Sequence, residues 1–203
     1  MLVIVDYKMG NLHSVKKKLD FLKVDSVISS DPAILLSASK LILPGVGHFG
    51  RAMENLRKLN LIDALNEAVI EKKIPVLGIC LGMQLMAKSS EEGDVEGLGW
   101  FNADVIKIQV SDTINFKIPH IGWNTINNEK ESILMQDIAD ESEFYFVHAY
   151  HVQCHDTSDI LNTTTYNRKM VSAIEKNNIF GVQYHPEKSH EVGEKLISNF
   201  IKL

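Results

Sequence analysis

The sequence predicts an α/β fold with a mostly parallel central sheet flanked by helices and additional antiparallel strands in the second half. Two observations carry this reading. Up to residue 80, short apolar strand-like runs alternate with segments whose apolar residues recur at helical spacing, the pattern of parallel strands joined by helical crossovers. Beyond residue 100 the segments become strand-like with short connections, which suits antiparallel additions. At 203 residues with 45% apolar content, one domain covering 1–203 can bury a core and shape a pocket without disulfides or metal.

Taken in order, LVIVDY (2–7) reads as a buried strand. Asn11 can cap a helix through HSVKKKLDFLK, where Leu12, Val15, Leu19 and Leu22 share one face. SVISS (26–30) is a second strand, and Asp31 with Pro32 opens a short helix. KLILP (40–44) is the third strand, helical stretches follow over 50–58 and 61–73, and IPVLGI (74–79) is the fourth strand. In the second half ADVIKIQV (103–110), WNTI (123–126), EFYFVHAYHV (143–152), LNTTTY (161–166), MVSAIE (170–175) and IFGVQY (179–184) read as strands. A closing helix is expected over 189–202. There is no internal repeat, low-complexity segment or interdomain linker.

The formal net charge is −5 and the only basic cluster is KKK at 16–18, so nucleic acid is not expected as a ligand. No apolar run approaches the ~18 residues of a membrane span, and MLVIVDYKMGN turns polar too soon for a leader, so no membrane partner is expected. Two cysteines, Cys80 and Cys154, fit a reducing compartment. A cytoplasmic location is the expectation.

Chemistry concentrates at IPVLGICLGMQLMAKSS. Gly78-Ile79-Cys80-Leu81-Gly82 has the form of a nucleophile elbow with cysteine at its centre. A sharp strand-to-helix turn crowds the backbone, so the positions two residues either side must lack a Cβ. The same turn puts Cys80 at a helix N-terminus, where N–H groups and the dipole favour thiolate and lower its pKa from the reference of about 8.5. A base is available in IFGVQYHPEKS. Pro186 holds His185 extended, and in extended chain residues two apart point the same way, so Glu187 can orient the imidazole. Cys80, His185 and Glu187 make a nucleophile, base and orienter.

LPGVGHFG (43–50) contains G-x-G-x-x-G, the form of a dinucleotide loop. Such a loop should follow the first strand and be answered about 20 residues later by an acid at the next strand end. Here it follows the third strand, and Glu67 and Glu71 lie in a helical stretch, so no nucleotide cofactor is expected. The glycines fit an oxyanion hole better: Leu81 would offer one backbone N–H, and the loop at Gly45, Val46 and Gly47 the second. In FVHAYHVQCH, His148 and Cys154 would face one side of a strand and His151 and His155 the other, so no metal site is expected.

These residues resemble a known family. GICLGMQ (78–84) with HPE (185–187) is the signature of the class I glutamine amidotransferases, whose triad is Cys, His and Glu. VDYKMGNLHSV, LILPGVGHFGRAM, KIPHIGWN, FYFVHAY and GVQYHPEKS look like the blocks of one branch, the glutaminase subunits of imidazole glycerol phosphate synthases, in order across nearly the whole chain. The resemblance implies that Cys80 attacks the side-chain amide of L-glutamine, and that ammonia passes to a (β/α)8 cyclase subunit in a heterodimer of the histidine pathway. It implies glutamine contacts at Gln84, at the backbone of Gly45, Ala149 and Tyr150, and at Glu92 toward the substrate ammonium. It also implies partner contacts at Asn11, Trp123 and Lys188, with a core aromatic in a strand as the alternative for Trp123. Lys8 stands where glycine is common in the family and Ala149 where a hydroxyl residue is usual. These departures leave open a paralogue feeding a surface-sugar amidotransferase. A cysteine peptidase and a non-catalytic scaffold are the rivals from other classes.

Overall fold

A computed structural model describes residues 1–203. The first half builds β1 (Leu2–Val5), α1 (Leu12–Phe21), β2 (Ser26–Ser29), α2 (Pro32–Leu36), β3 (Lys40–Gly45), α3 (Phe49–Lys58), α4 (Leu61–Asn66), β4 (Val76–Cys80) and α5 (Leu81–Gln84). The second half adds β5 (Ser89–Ser90), β6 (Val95–Glu96), β7 (Ala103–Lys107), β8 (His120–Thr125), β9 (Asn127–Asn128), β10 (Glu143–His148), β11 (Tyr150–Cys154), β12 (Ile160–Tyr166), β13 (Arg168–Lys176), β14 (Ile179–Val182) and α6 (His190–Lys202).

The main sheet has eight strands in the order β2-β1-β3-β4-β14-β13-β12-β9. Strands β2 through β14 in that order run parallel, and β13, β12 and β9 continue it antiparallel. Period-two alternation divides its core. Val3, Val5, Leu41, Leu43 and Val76 point to a face covered by α2 to α5, while Leu2, Ile4, Ile42, Leu77 and Ile79 meet Val15 and Leu19 of α1 and Leu196, Ile197 and Phe200 of α6. Strands buried on both faces read as the continuous apolar runs seen in the sequence. The expected caps form: Asn11 Oδ1 accepts from the Ser14 N–H at 3.2 Å and Asp31 Oδ1 from the Ala33 N–H at 2.9 Å.

Four expectations need correction. The helix expected over 61–73 ends its α-turns at Asn66 and finishes as a π-turn over Glu67–Glu71. The run EFYFVHAYHV is two strands, since the chain leaves one sheet at Ala149; β10 pairs with β8, whereas β11 pairs with β7 in a separate four-stranded sheet. The alternation argued for His148 to His155 therefore does not run through. IFGVQY, expected among the antiparallel additions, leaves the ladder after Val182 and runs parallel to β4 inside the main sheet. Finally, Pro186–Lys188 is a single 3-10 turn, not extended chain.

Candidate active site

Strands β3, β4 and β14 are neighbours in the sheet, and their carboxyl ends deliver the Gly45 loop, Cys80 and the segment carrying His185 to one place. Gly45 lies directly beside Cys80 in the β3–β4 register. Ligand sites of open α/β sheets occur at this end because the loops there are free to vary. Cys80 adopts φ 54° and ψ −110°, a strained backbone for a residue with a side chain, and strain of this kind persists only where packing imposes it. The packing is visible at Gly82, where an added Cβ would lie 1.7 Å from the Leu43 carbonyl oxygen, and at Gly78, where it would lie 2.8 Å from the Gly82 backbone. The expected helix after Cys80 is one α-turn only, so its dipole supports a thiolate less than a long helix would.

His185 is 2% exposed and its Nδ1 lies 2.8 Å from Glu187 Oε1. A carboxylate oxygen only accepts, so Nδ1 donates to Glu187, and Nε2 is the ring nitrogen left free of that bond. His185 is extended as expected (φ −105°, ψ 90°), but Glu187 lies inside the 3-10 turn that follows, so the two side chains meet where extended chain passes into the turn and not by strand alternation alone. The His185 backbone is fixed on both sides: its N–H donates to the Tyr145 carbonyl at 2.8 Å, and its carbonyl accepts from the Ser189 hydroxyl at 2.6 Å. His185 Nε2 is buried and makes no well-directed hydrogen bond within the chain. Burial pulls the imidazole pKa down, but close interaction with Cys80 and Glu187 outweighs it and raises it to about 10. Cys80 and Glu187 thus both act on the ring, and their nearness favours its charged form.

Beside the sulfur is a cavity of about 320 Å³ lined by Val46, Gly47, Cys80, Leu81, Gln84, Glu92, Pro119, Val147, His148, Ala149 and Tyr150. A larger, open concavity of about 940 Å³ runs past Asn128 and Asp140, but neither cysteine nor histidine lines it. The smaller cavity gathers the residues assigned to the oxyanion hole and all those assigned to substrate except Gly45. Gly45 lies beneath it, where a Cβ would meet the Tyr7 hydroxyl at 2.0 Å. Gln84 donates from Nε2 to the Tyr150 carbonyl at 3.0 Å and to Gln183 Oε1 at 2.9 Å, which leaves its own Oε1 as an acceptor. Glu92 accepts the Phe49 N–H at 2.7 Å and so ties the cavity wall to the start of α3, immediately after the glycine loop.

A glutamine amidotransferase class-I family model matches residues 3–203. The chain belongs to the class I glutamine amidotransferases. It is 50% identical to a Methanococcus maripaludis protein named imidazole glycerol phosphate synthase subunit HisH 2, over 100% of this chain and 99% of that one. A Campylobacter jejuni relative named subunit HisH 1 is 45% identical over the full length of both. Among solved structures, a glutamine amidotransferase from Thermotoga maritima superposes with a TM-score of 0.66 at 16% identity, over 99% of this chain and 82% of that one, a likeness of fold.

In this glutamine amidotransferase the three partner-contact candidates occupy different settings. Asn11 is engaged as the α1 cap. Trp123 is 45% exposed on β8 and stacks on His190 at 5.0 Å, which excludes the core-aromatic reading. Lys188 is exposed, with its ammonium 5.6 Å from the Tyr145 ring centroid. Three residues around the cysteine escaped the sequence reading. Val147 offers its carbonyl to the thiol at 3.8 Å. The fully buried Tyr7 hydroxyl has no hydrogen-bond partner within the chain, and the nearby Cys80 adds to burial in pushing its pKa up. Gln183 donates from Nε2 to Cys80 Sγ at 3.6 Å.

Proposed function

We propose that this protein is the glutaminase subunit of an imidazole glycerol phosphate synthase: it hydrolyses glutamine to glutamate and ammonia and passes the ammonia to a (β/α)8 cyclase subunit. The observation that carries the reading is a strained Cys80 at the strand ends that also deliver the His185–Glu187 pair, opening onto a cavity that holds Gln84, in a chain alignable end to end with two subunits of that name.

Cys80 sulfur adds to the side-chain amide carbon of glutamine, and the resulting oxyanion is met by backbone N–H groups of Leu81 and the Val46–Gly47 loop. His185 Nε2 gives its proton to the departing nitrogen, and ammonia leaves a glutamyl thioester. Water, deprotonated by the same Nε2, adds to the thioester and returns the sulfur. Glu187 keeps the ring oriented and stabilises its charged form. Glu92 meets the substrate ammonium. No metal or cofactor is required by these steps. Exposed Ile121 and Trp123 on β8, with Lys188 beside them, form the cyclase-facing surface, and a cytoplasmic location follows from the pathway.

In the test, Cys80→Ala loses glutamine hydrolysis while added ammonium still supports the cyclase reaction. Unchanged glutamine turnover in that variant would defeat the assignment. A second reading is favoured by a specific observation: Methanococcus maripaludis holds subunits named HisH 1 and HisH 2, 44% and 50% identical to this chain. The second of a pair can serve a paralogous synthase, such as a surface-sugar amidotransferase with a similar barrel. Retained glutaminase activity with no support of imidazole glycerol phosphate formation would select that reading.

A further inference from the structure

The carbonyl of Tyr150 fixes the direction of the hydrogen bonds around it, because a carbonyl oxygen can only accept. Gln84 lies 3.0 Å from it and must therefore present its amide nitrogen there. The same nitrogen lies 2.9 Å from Gln183, so the atom it meets on Gln183 is the acceptor Oε1. The Gln183 nitrogen is then turned to Cys80 Sγ, 3.6 Å away. Oxygen and nitrogen of a side-chain amide are usually assigned only by their network. Here one backbone carbonyl decides both amides in succession.

Gln183 is fully buried, and its backbone N–H is held by the Ser172 carbonyl at 2.8 Å. It cannot turn to solvent. The other partner of the sulfur, the Val147 carbonyl, can accept from a thiol but repels a thiolate. Since the helix after Cys80 is a single turn, a directed N–H is the most specific support that a charged sulfur finds outside His185.

We propose that Gln183 is a further catalytic residue: its carboxamide N–H donates to the Cys80 sulfur and stabilises the thiolate, with Gln84 setting the direction of that amide. This rests on Cys80 being the nucleophile of the glutaminase reaction. The role recurs in the second half of the cycle. When water adds to the thioester, the C–S bond breaks and its electron pair stays on sulfur, where the Gln183 N–H again faces the charge. Gln183 is absent from the cavity wall, so its loss should slow turnover rather than weaken glutamine binding.

The test follows alkylation of Cys80 by iodoacetamide against pH, in a Cys154→Ser background. Cys154 is the other cysteine of the chain, and removing it leaves Cys80 as the single thiol that can be alkylated. Gln183→Met keeps the volume and removes the donor. Its alkylation midpoint should rise by about one pH unit, with about tenfold slower alkylation below the midpoint. Gln183→Glu, which places a carboxylate at the sulfur, should shift it further. For glutamine, kcat should fall about tenfold in Gln183→Met with KM little changed. A parental alkylation profile in Gln183→Met would overturn the proposal. Independently of folding in the variants, the Gln183 side-chain amide resonance of the parental protein should move with pH at the Cys80 midpoint, and a stationary resonance would also overturn it. Alkylation does not involve glutamine. If the parental protein with its cyclase partner fails to turn over glutamine while Gln183→Met shows the expected alkylation shift, the proposed function and with it the catalytic role are overturned, and only the contact of Gln183 with the thiolate stands.

Discussion

At the scale of single residues, Lys8 and Cys80 both hold left-handed backbone, for different reasons. Lys8 is at φ 64°, its N–H bound to Asp6 Oδ1 at 2.9 Å and its ammonium to Oδ2 at 2.7 Å. The family's usual glycine at this position is explained by that torsion, which a side chain tolerates at a cost of roughly 1–2 kcal/mol. The ion pair is exposed and adds little. Lys8→Gly should therefore be neutral to stabilising by up to about 1 kcal/mol after the extra entropy of glycine in the unfolded chain, whereas Lys8→Val should destabilise. Urea denaturation of the two variants checks this. A clear loss of stability in Lys8→Gly would show that the Asp6 contacts outweigh the torsion. The proposed triad could be picked out in the sequence because each member has a distinctive type and local setting: a cysteine between two glycines, and a histidine before Pro-Glu. Gln183 could not. A glutamine in an apolar run has no charge and no periodic signature, and its meaning comes from Gln84, 99 positions away.

At the scale of elements, the antiparallel β8–β10 pair brings two buried histidines together that lie 28 positions apart in sequence. His148 Nδ1 donates to the Tyr150 carbonyl at 2.8 Å, so its Nε2 accepts from His120 Nδ1 at 3.0 Å, and His120 also stacks on Phe146 and Tyr166. This arrangement belongs to the neutral pair, which burial favours. Burial lowers His120 to about 4. Burial also lowers His148 to about 3, with the Tyr150 carbonyl opposing and the nearby His120, His151 and His185 adding to the fall. The unfolded chain takes up these protons near 6.5, before the folded one does. The stability held by the neutral pair is thus present above about pH 6.5 and is lost as pH falls toward 4, at up to about 2.7 kcal/mol per pH unit for two protons. His185 has the opposite sign: its contribution is complete below about 6.5 and is lost as pH rises toward 10. The urea midpoint should fall between pH 7 and pH 5, and His120→Phe, which keeps the ring stack, should make that fall shallower. An unchanged slope in this variant would refute the assignment. The strand pair itself was only half legible. Alternation marked both strands, but the switch of sheets at Ala149 leaves the apolar pattern unbroken, so FVHAYHV read as one strand.

At the scale of the whole molecule, the alternating first half specified the parallel sheet. A buried parallel strand must be apolar on both faces, and its crossover must be amphipathic, so each element carries its own signature. The carboxyl ends of β3 and β4 then meet without further instruction, which is why a loop at 45 and a cysteine at 80 could be put at neighbouring strand ends from sequence, whereas the parallel placement of β14, which brings His185 there, was not foreseen. What sequence could not supply was the order of the antiparallel additions and the network of Tyr150, Gln84 and Gln183, since both depend on pairings between distant segments. The central claim remains that Cys80 carries the glutamyl group during turnover. Acid quenching of the protein with its synthase partner and glutamine, followed by mass spectrometry of the peptide spanning Cys80, tests it directly. The account predicts that peptide heavier by one glutamyl group, and no such adduct in Cys80→Ala; glutamine consumed with the peptide unmodified, or the adduct found on Cys154, would contradict it.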